Sequence, residues 1–313
     1  MSFARLQERI DELKNPTVVG LDPDLAHIPD CILDKHYTEL GENLEAASLA
    51  VLEFNAGLID ALCDIVPAVK PQSAYYEMLG PYGVLALAKT CDYAKSKGMY
   101  VILDGKRNDI GSTAAAYSAA YLGKVKIKDK EFIPFNADAL TVNAYLGSDG
   151  IKPFIETAVQ YDKAIFALVR TSNPSAGELQ DRHVENTDKT DLSCPGKLYT
   201  VVGDLMESIS RDTIDKYGYT CVGAVVGATY PEEAEFLRKR LKNTFFLVPG
   251  YGAQGGSAAE AAKAFDENGR GAIVNSSRGI IAAWKKRGND DYIAAAREEA
   301  LKMRDELRKE LFF

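Results

Sequence analysis

The densest group of chemically capable side chains is LDGKRNDIGST at 103–113, where Asp104, Lys106 and Asp109 form D-x-K-x-x-D. Alternation along an extended backbone points Asp104 and Lys106 to one side. Neighbouring charges of opposite sign hold each other ionised, so such a set offers an ammonium acid in Lys106 and a fixed carboxylate in Asp109. Taken alone, the pattern is more often an exposed turn with ordinary ion pairs, which are abundant and weak, and it is the position after a strand that favours the chemical reading. Lys70 is a second cation of interest. It ends the apolar run VPAVK at 66–70 and is followed by Pro71, which disfavours helix at Lys70. By itself a strand-end lysine is more often a surface group.

A site for an anion is visible separately. VPGYGAQGG at 248–256 supplies backbone N–H groups and Gln254, and Arg278 follows in NSSRG. A Gly-rich stretch alone is a tight turn. Paired with an arginine that offers bidentate geometry, it reads as a phosphate grip. His27, His36 and His183 all lie away from the strand ends, which leaves no histidine base and no histidine metal cluster. No dinucleotide or P-loop fingerprint stands in a suitable context. The chemistry is expected to fall to Lys and Asp, with neither metal nor cofactor.

These residues need elements to bring them together. Apolar, β-rich runs occur at 17–21, 66–70, 99–103, 137–143, 164–169, 221–226, 244–248 and 271–274. Helical patterns lie between them, at 41–63, 80–97, 111–121, 197–217, 230–242 and 257–267. Thr229 reads as the N-cap of one such helix, with Pro231 and Glu232 behind it. Strands alternating with helices predict an α/β fold, a (β/α)8 TIM barrel in a single domain over 1–313, with an open doubly wound sheet as the alternative. In a barrel the chemistry sits where strands end. Asp22, Lys70, Asp104, Ser172 and Arg278 all follow such runs. The aperiodic segment at about 173–197 reads either as a lid or as a solvated insertion. The N-terminal stretch, with Phe3, Leu6, Ile10 and Leu13 near one face, reads as a surface helix.

Composition removes whole classes of function. A net charge of −8 without an extended basic patch argues against nucleic-acid binding. No apolar run is long enough to span a membrane. Five cysteines, none in a CxxC pair, suggest neither a disulfide framework nor a zinc site, and fit a reducing cytoplasm.

In order along the chain, VVGLDPD at 18–24, VKPQSAYYE at 69–77, LDGKRNDIGST, TVNAYLG at 141–147, LVRTSNPSAGELQ at 168–180, VPGYGAQGG and NSSRGI at 275–280 resemble the orotidine 5'-phosphate decarboxylases, in their longer microbial form. The resemblance implies decarboxylation of orotidine 5'-phosphate to UMP, the last step of de novo UMP synthesis. It implies a Lys-Asp-Lys-Asp array of Lys70, Asp104, Lys106 and Asp109. It also implies a homodimer in which Asp109 and Thr113 reach into the neighbouring subunit's site. Asp22 matches a ribose contact, Ser172 a pyrimidine contact, and Gln254 with Arg278 the phosphate grip. Two other readings compete. Magnesium-dependent sugar-phosphate decarboxylases and synthases of the same barrel superfamily look similar, but carry an acidic residue where this chain has Lys70, and a lysine there repels a metal. A non-catalytic nucleotide-binding barrel would not need the charged array.

Overall fold

Eight parallel strands close into a ring in sequence order. They are β1 (Thr17–Leu21), β2 (Ala68–Pro71), β3 (Tyr100–Arg107), β4 (Ala139–Val142), β5 (Ala164–Arg170), β6 (Val222–Val226), β7 (Phe246–Val248) and β8 (Ala272–Ser276). The protein is therefore a (β/α)8 barrel, and the open sheet is excluded by the pairing of β8 with β1. This computed structural model describes residues 2–185, 196–252, 255–288 and 290–311. Gln254 thus lies outside the described residues, as do 186–195 of the aperiodic segment.

Helices wrap the ring because alternate strand residues face outward into an apolar layer. Ala272 and Val274 of β8, for example, join the strand–helix core, while Ile273 between them points into the barrel. Helices Leu44–Leu62, Gly80–Ser96, Gly111–Tyr121, Leu198–Ser210 and Pro231–Arg240 fall where the periodicity predicts them. The fourth stops early, at a 3-10 turn over Arg211–Thr213. Asp30–Leu40, Ser148–Tyr161 and the C-terminal Tyr292–Leu311 complete the outer layer.

Two local readings are corrected. The helix Ser2–Leu13 is no surface helix: Phe3, Leu6 and Ile10 are buried against the barrel interior at the strand N-terminal ends. Phe3 stacks on Phe245 and leans on Phe166, each at 4.9 Å between ring centres. An apolar stripe looks the same whether it covers a barrel's side or plugs its end. Thr229 is no N-cap either. The cap position belongs to Tyr230, and the buried Thr229 hydroxyl finds no partner among the described residues. The helix does begin on Pro231, whose fixed φ suits a first turn.

Candidate active site

At the C-terminal mouth of the barrel lies a cavity of about 640 Å³. Its wall from β5, β6 and β7 is apolar, with Leu168, Val225, Leu247 and Pro249. The wall from β1 to β4 is charged and polar, with Asp22, Lys70, Gln72, Asp104, Lys106 and Thr141. Such a pocket suits a flat, partly apolar ring on one side and groups that carry or develop charge on the other.

Asp104 is the hub. One carboxylate oxygen accepts from Lys70 Nζ at 2.8 Å and Gln72 Nε2 at 2.9 Å. The other accepts from Lys106 Nζ and from the Thr141 hydroxyl, both at 2.7 Å. Lys70 is 5% exposed and Asp104 7%, so this is a buried ion pair held by good geometry. Burial opposes the Lys70 charge, but Asp104 and then Asp22 outweigh it and raise its pKa above the ordinary value. Burial likewise opposes ionisation of Asp104, yet Lys70 and Lys106 hold it well below the usual carboxylate range. Lys106 is different in kind: its side chain is about half exposed.

Local backbone explains how Asp104 and Lys106 meet. The register of β3 against β4 slips between Leu103 and Arg107, and Lys106 takes a left-handed φ of 46°. A lysine rarely adopts that conformation, and residues held so cluster at functional sites. Here the Thr141 hydroxyl fixes it by accepting the Lys106 N–H at 3.0 Å. Simple alternation therefore gives the correct side but not the correct backbone.

Ser172 and Arg278 also line the cavity, at the ends of β5 and β8. Arg278 forms no ion pair with any described residue and so offers an uncommitted cation at the rim. Beside it the loop after β7 closes on itself, with Gly252 N–H to Gly256 O at 2.9 Å and Gly255 N–H to Gly252 O at 2.9 Å. Positive φ at Gly252 and Gly255 makes that turn possible. The Tyr251 hydroxyl ties the loop to Glu306 on the C-terminal helix, and burial, with that partner, raises its pKa.

Asp109 and Thr113 are not brought into this cavity. Asp109 is partly buried and accepts its neighbour Ile110 N–H at 2.8 Å, and Thr113 is exposed on Gly111–Tyr121. Within one chain, then, Asp22, Lys70, Asp104 and Lys106 converge and the last aspartate of the array does not.

The chain matches the model of the orotidine 5'-phosphate decarboxylase / HUMPS family over residues 33–289. It is 44% identical to an orotidine 5'-phosphate decarboxylase of Rhodopirellula baltica, over 95% of this chain and 93% of that one. The chain belongs to the orotidine 5'-phosphate decarboxylase family. A Caldicellulosiruptor bescii decarboxylase is 42% identical, over 92% of each chain. The solved OMP decarboxylase of Leishmania donovani superposes with a TM-score of 0.70 at 28% identity, covering 100% of this chain and 99% of that one.

Several polar residues of this cavity escape a reading of the sequence. Gln72 and Thr141 satisfy Asp104 from neighbouring strands, and only the register across β2, β3 and β4 reveals it. Gln180 lines the cavity from the aperiodic segment: it accepts the Thr171 N–H at 3.0 Å and donates to the Thr171 hydroxyl at 2.7 Å, bracing the strip that holds Ser172. That segment is anchored at its base. Asp181 meets Lys197 at 3.0 Å and the buried Arg170 at 3.5 Å, and Arg170 also pairs with Glu233 at 2.5 Å.

The Asp104 hub makes an expected stability effect. Asp104→Asn leaves Lys70 buried without its counter-charge and should destabilise the fold by about 3–5 kcal/mol, measured by denaturant unfolding. Lys70→Met combined with Asp104→Leu should recover most of that loss, because a buried ion pair and an apolar pair of similar volume are nearly equivalent. Because the folded pKa of Asp104 is depressed, its contribution is present above about pH 4 and is lost as pH falls through the lower folded value. A single variant as stable as wild type would show that Lys70 does not depend on Asp104.

Proposed function

We propose that this chain converts orotidine 5'-phosphate to UMP and CO2, the closing step of UMP synthesis, as a cytoplasmic homodimer that needs no metal or organic cofactor. The observation that carries this reading is the Lys70–Asp104–Lys106 array, in which the Asp104 carboxylate accepts from both lysines, Gln72 and Thr141, in a cavity with an apolar wall. The bond from the pyrimidine ring carbon to the carboxylate breaks, and its electron pair stays on the ring. Lys106 faces that developing charge as an ammonium group and delivers the proton that completes UMP. Lys70 and Asp104 hold Lys106 in position without reorganising, which is how fixed charge lowers a barrier in a site that excludes water. Asp22 takes the ribose, Ser172 the pyrimidine edge, and Arg278 with Gln254 the phosphate. Asp109 and Thr113 serve the partner's site, a role supported by their position outside their own chain's cavity.

Turnover of orotidine 5'-phosphate in the presence of a chelator tests the reading directly. Full activity is expected. Activity abolished by chelator and restored by magnesium would return the chain to the metal-dependent branch of the superfamily.

Arg278→Ala should weaken UMP binding about 10–100-fold, the range for a hydrogen bond between charged groups, while uridine binding changes little. Titration calorimetry with both ligands separates the two. Equal weakening of UMP and uridine would put Arg278 somewhere other than on the phosphate.

A further inference from the structure

We propose that Asn275 is a substrate-binding residue whose side-chain oxygen accepts a hydrogen bond from a ribose hydroxyl of the nucleotide, an inference that rests on the nucleotide reading above. Asn275 lies on β8 two residues beyond Ile273, lines the cavity, and is only 9% exposed. A buried carboxamide carries both donors and acceptors that require partners. Its Nδ2 reaches the Ser277 hydroxyl at 3.3 Å, but Oδ1 finds no partner among the described residues. Leu247, Val225 and Leu168 line the same cavity without any such orphan. A buried amide oxygen left without a partner destabilises the free protein unless the ligand supplies one.

The surroundings identify the part of the ligand. On β1, Gly20 stands in register with Lys70. A β carbon on Gly20 would come 3.2 Å from Asn275 Oδ1 and 1.9 Å from the Ser277 hydroxyl, so the bare glycine is what leaves room for both groups. Asn275 therefore sits between the β1 end, which carries Asp22, and the β8 end, which carries Arg278. On the nucleotide reading that is the sugar–phosphate side of the pocket, at the edge of the apolar wall that suits a pyrimidine. The donors a nucleotide offers there are ribose hydroxyls, since a phosphate dianion only accepts. Asp22 Oδ1 is a second buried acceptor without a partner among the described residues, and two acceptors match the two hydroxyls of a ribose diol.

The test measures affinities of UMP, 2'-deoxy-UMP, 3'-deoxy-UMP and uridine for wild type, Asn275→Ala and Asn275→Leu, with melting curves for all three proteins. Asn275→Ala should weaken UMP about 10-fold and leave one of the two deoxynucleotides unchanged within about two-fold, because that ligand already lacks the donor. Asn275→Leu should melt no lower than wild type, since it removes an unpaired buried polar group. Equal weakening of UMP and both deoxynucleotides, or no weakening, overturns the proposal. A loss that disappears only against uridine puts the amide on the phosphate and also overturns it. Wild type that neither binds UMP nor turns over orotidine 5'-phosphate takes down the nucleotide reading itself. If neither variant folds, a crystal structure of the wild-type protein with UMP decides: a ribose oxygen within about 3.2 Å of Oδ1 upholds the proposal, and a longer separation refutes it.

Discussion

Lys106→Ala is expected to lower kcat/KM by on the order of 10⁴-fold or more while UMP affinity shifts by less than about 10-fold. On the proposed mechanism two contributions are removed together: proton delivery, worth about 10²–10⁴-fold, and a fixed positive charge beside the developing carbanion, worth about 10²–10³-fold by analogy with oxyanion donors. Both act on the transition state, whereas product binding draws on the ribose and phosphate contacts, so the two measurements separate. The structure distinguishes the two lysines of the array. Lys70 is buried against Asp104, while Lys106 is about half exposed and faces the cavity. Lys106→Arg should not rescue, because a planar, bulkier guanidinium fork does not reproduce the single-nitrogen geometry in which Lys106 meets Asp104 and faces the cavity. Steady-state kinetics and UMP titration on Ala and Arg variants check this. Parallel losses in UMP affinity and kcat/KM would reduce Lys106 to a binding group.

The contrast between those lysines shows where a sequence is legible. Lys70, Asp104 and Lys106 stand at or directly after the ends of apolar runs, and once the runs are read as barrel strands their convergence follows from topology. Thr141 and Gln72 carry no such mark. Their part depends on which residue of β4 or β2 lies opposite Asp104, and that register is set by packing around the whole ring. Asn275 looks like any polar residue near a strand end until the bare Gly20 on the neighbouring strand is seen to accommodate it. The slip in β3 is likewise invisible to a period of two, and only the structure gives Lys106 its left-handed backbone. The N-terminal helix departs from its expected place for a simpler reason. Its apolar face is correctly read from spacing, but spacing does not say that the surface awaiting it is the floor of a barrel.

Asp109 poses the opposite problem, a residue legible in sequence that its own chain does not use in the cavity. If it completes the partner's site, mixing Lys106→Ala chains with Asp109→Asn chains should restore activity that neither possesses alone. In a hybrid dimer one site carries both defects, the lysine lost from one chain and the aspartate lost from the other, and the second site carries neither. Random exchange makes about half of the dimers hybrid, each with one intact site of two, so activity should climb from near zero toward roughly a quarter of wild type. The surface around Asp109 suits such an exchange. Ile110, Tyr145 and Leu146 are exposed apolar side chains close to it in the chain or across the β3–β4 mouth, and Gly111–Tyr121 presents Ser112, Thr113, Ala115 and Ala116 outward. Small outward residues are what a close approach of two chains, with a short carboxylate crossing between them, would require. Subunit exchange is verified by mass spectrometry of differently tagged chains before kinetics are read. Verified hybrids without recovered turnover would confine Asp109 to its own chain, where it accepts a backbone N–H and stands apart from the Asp104 hub.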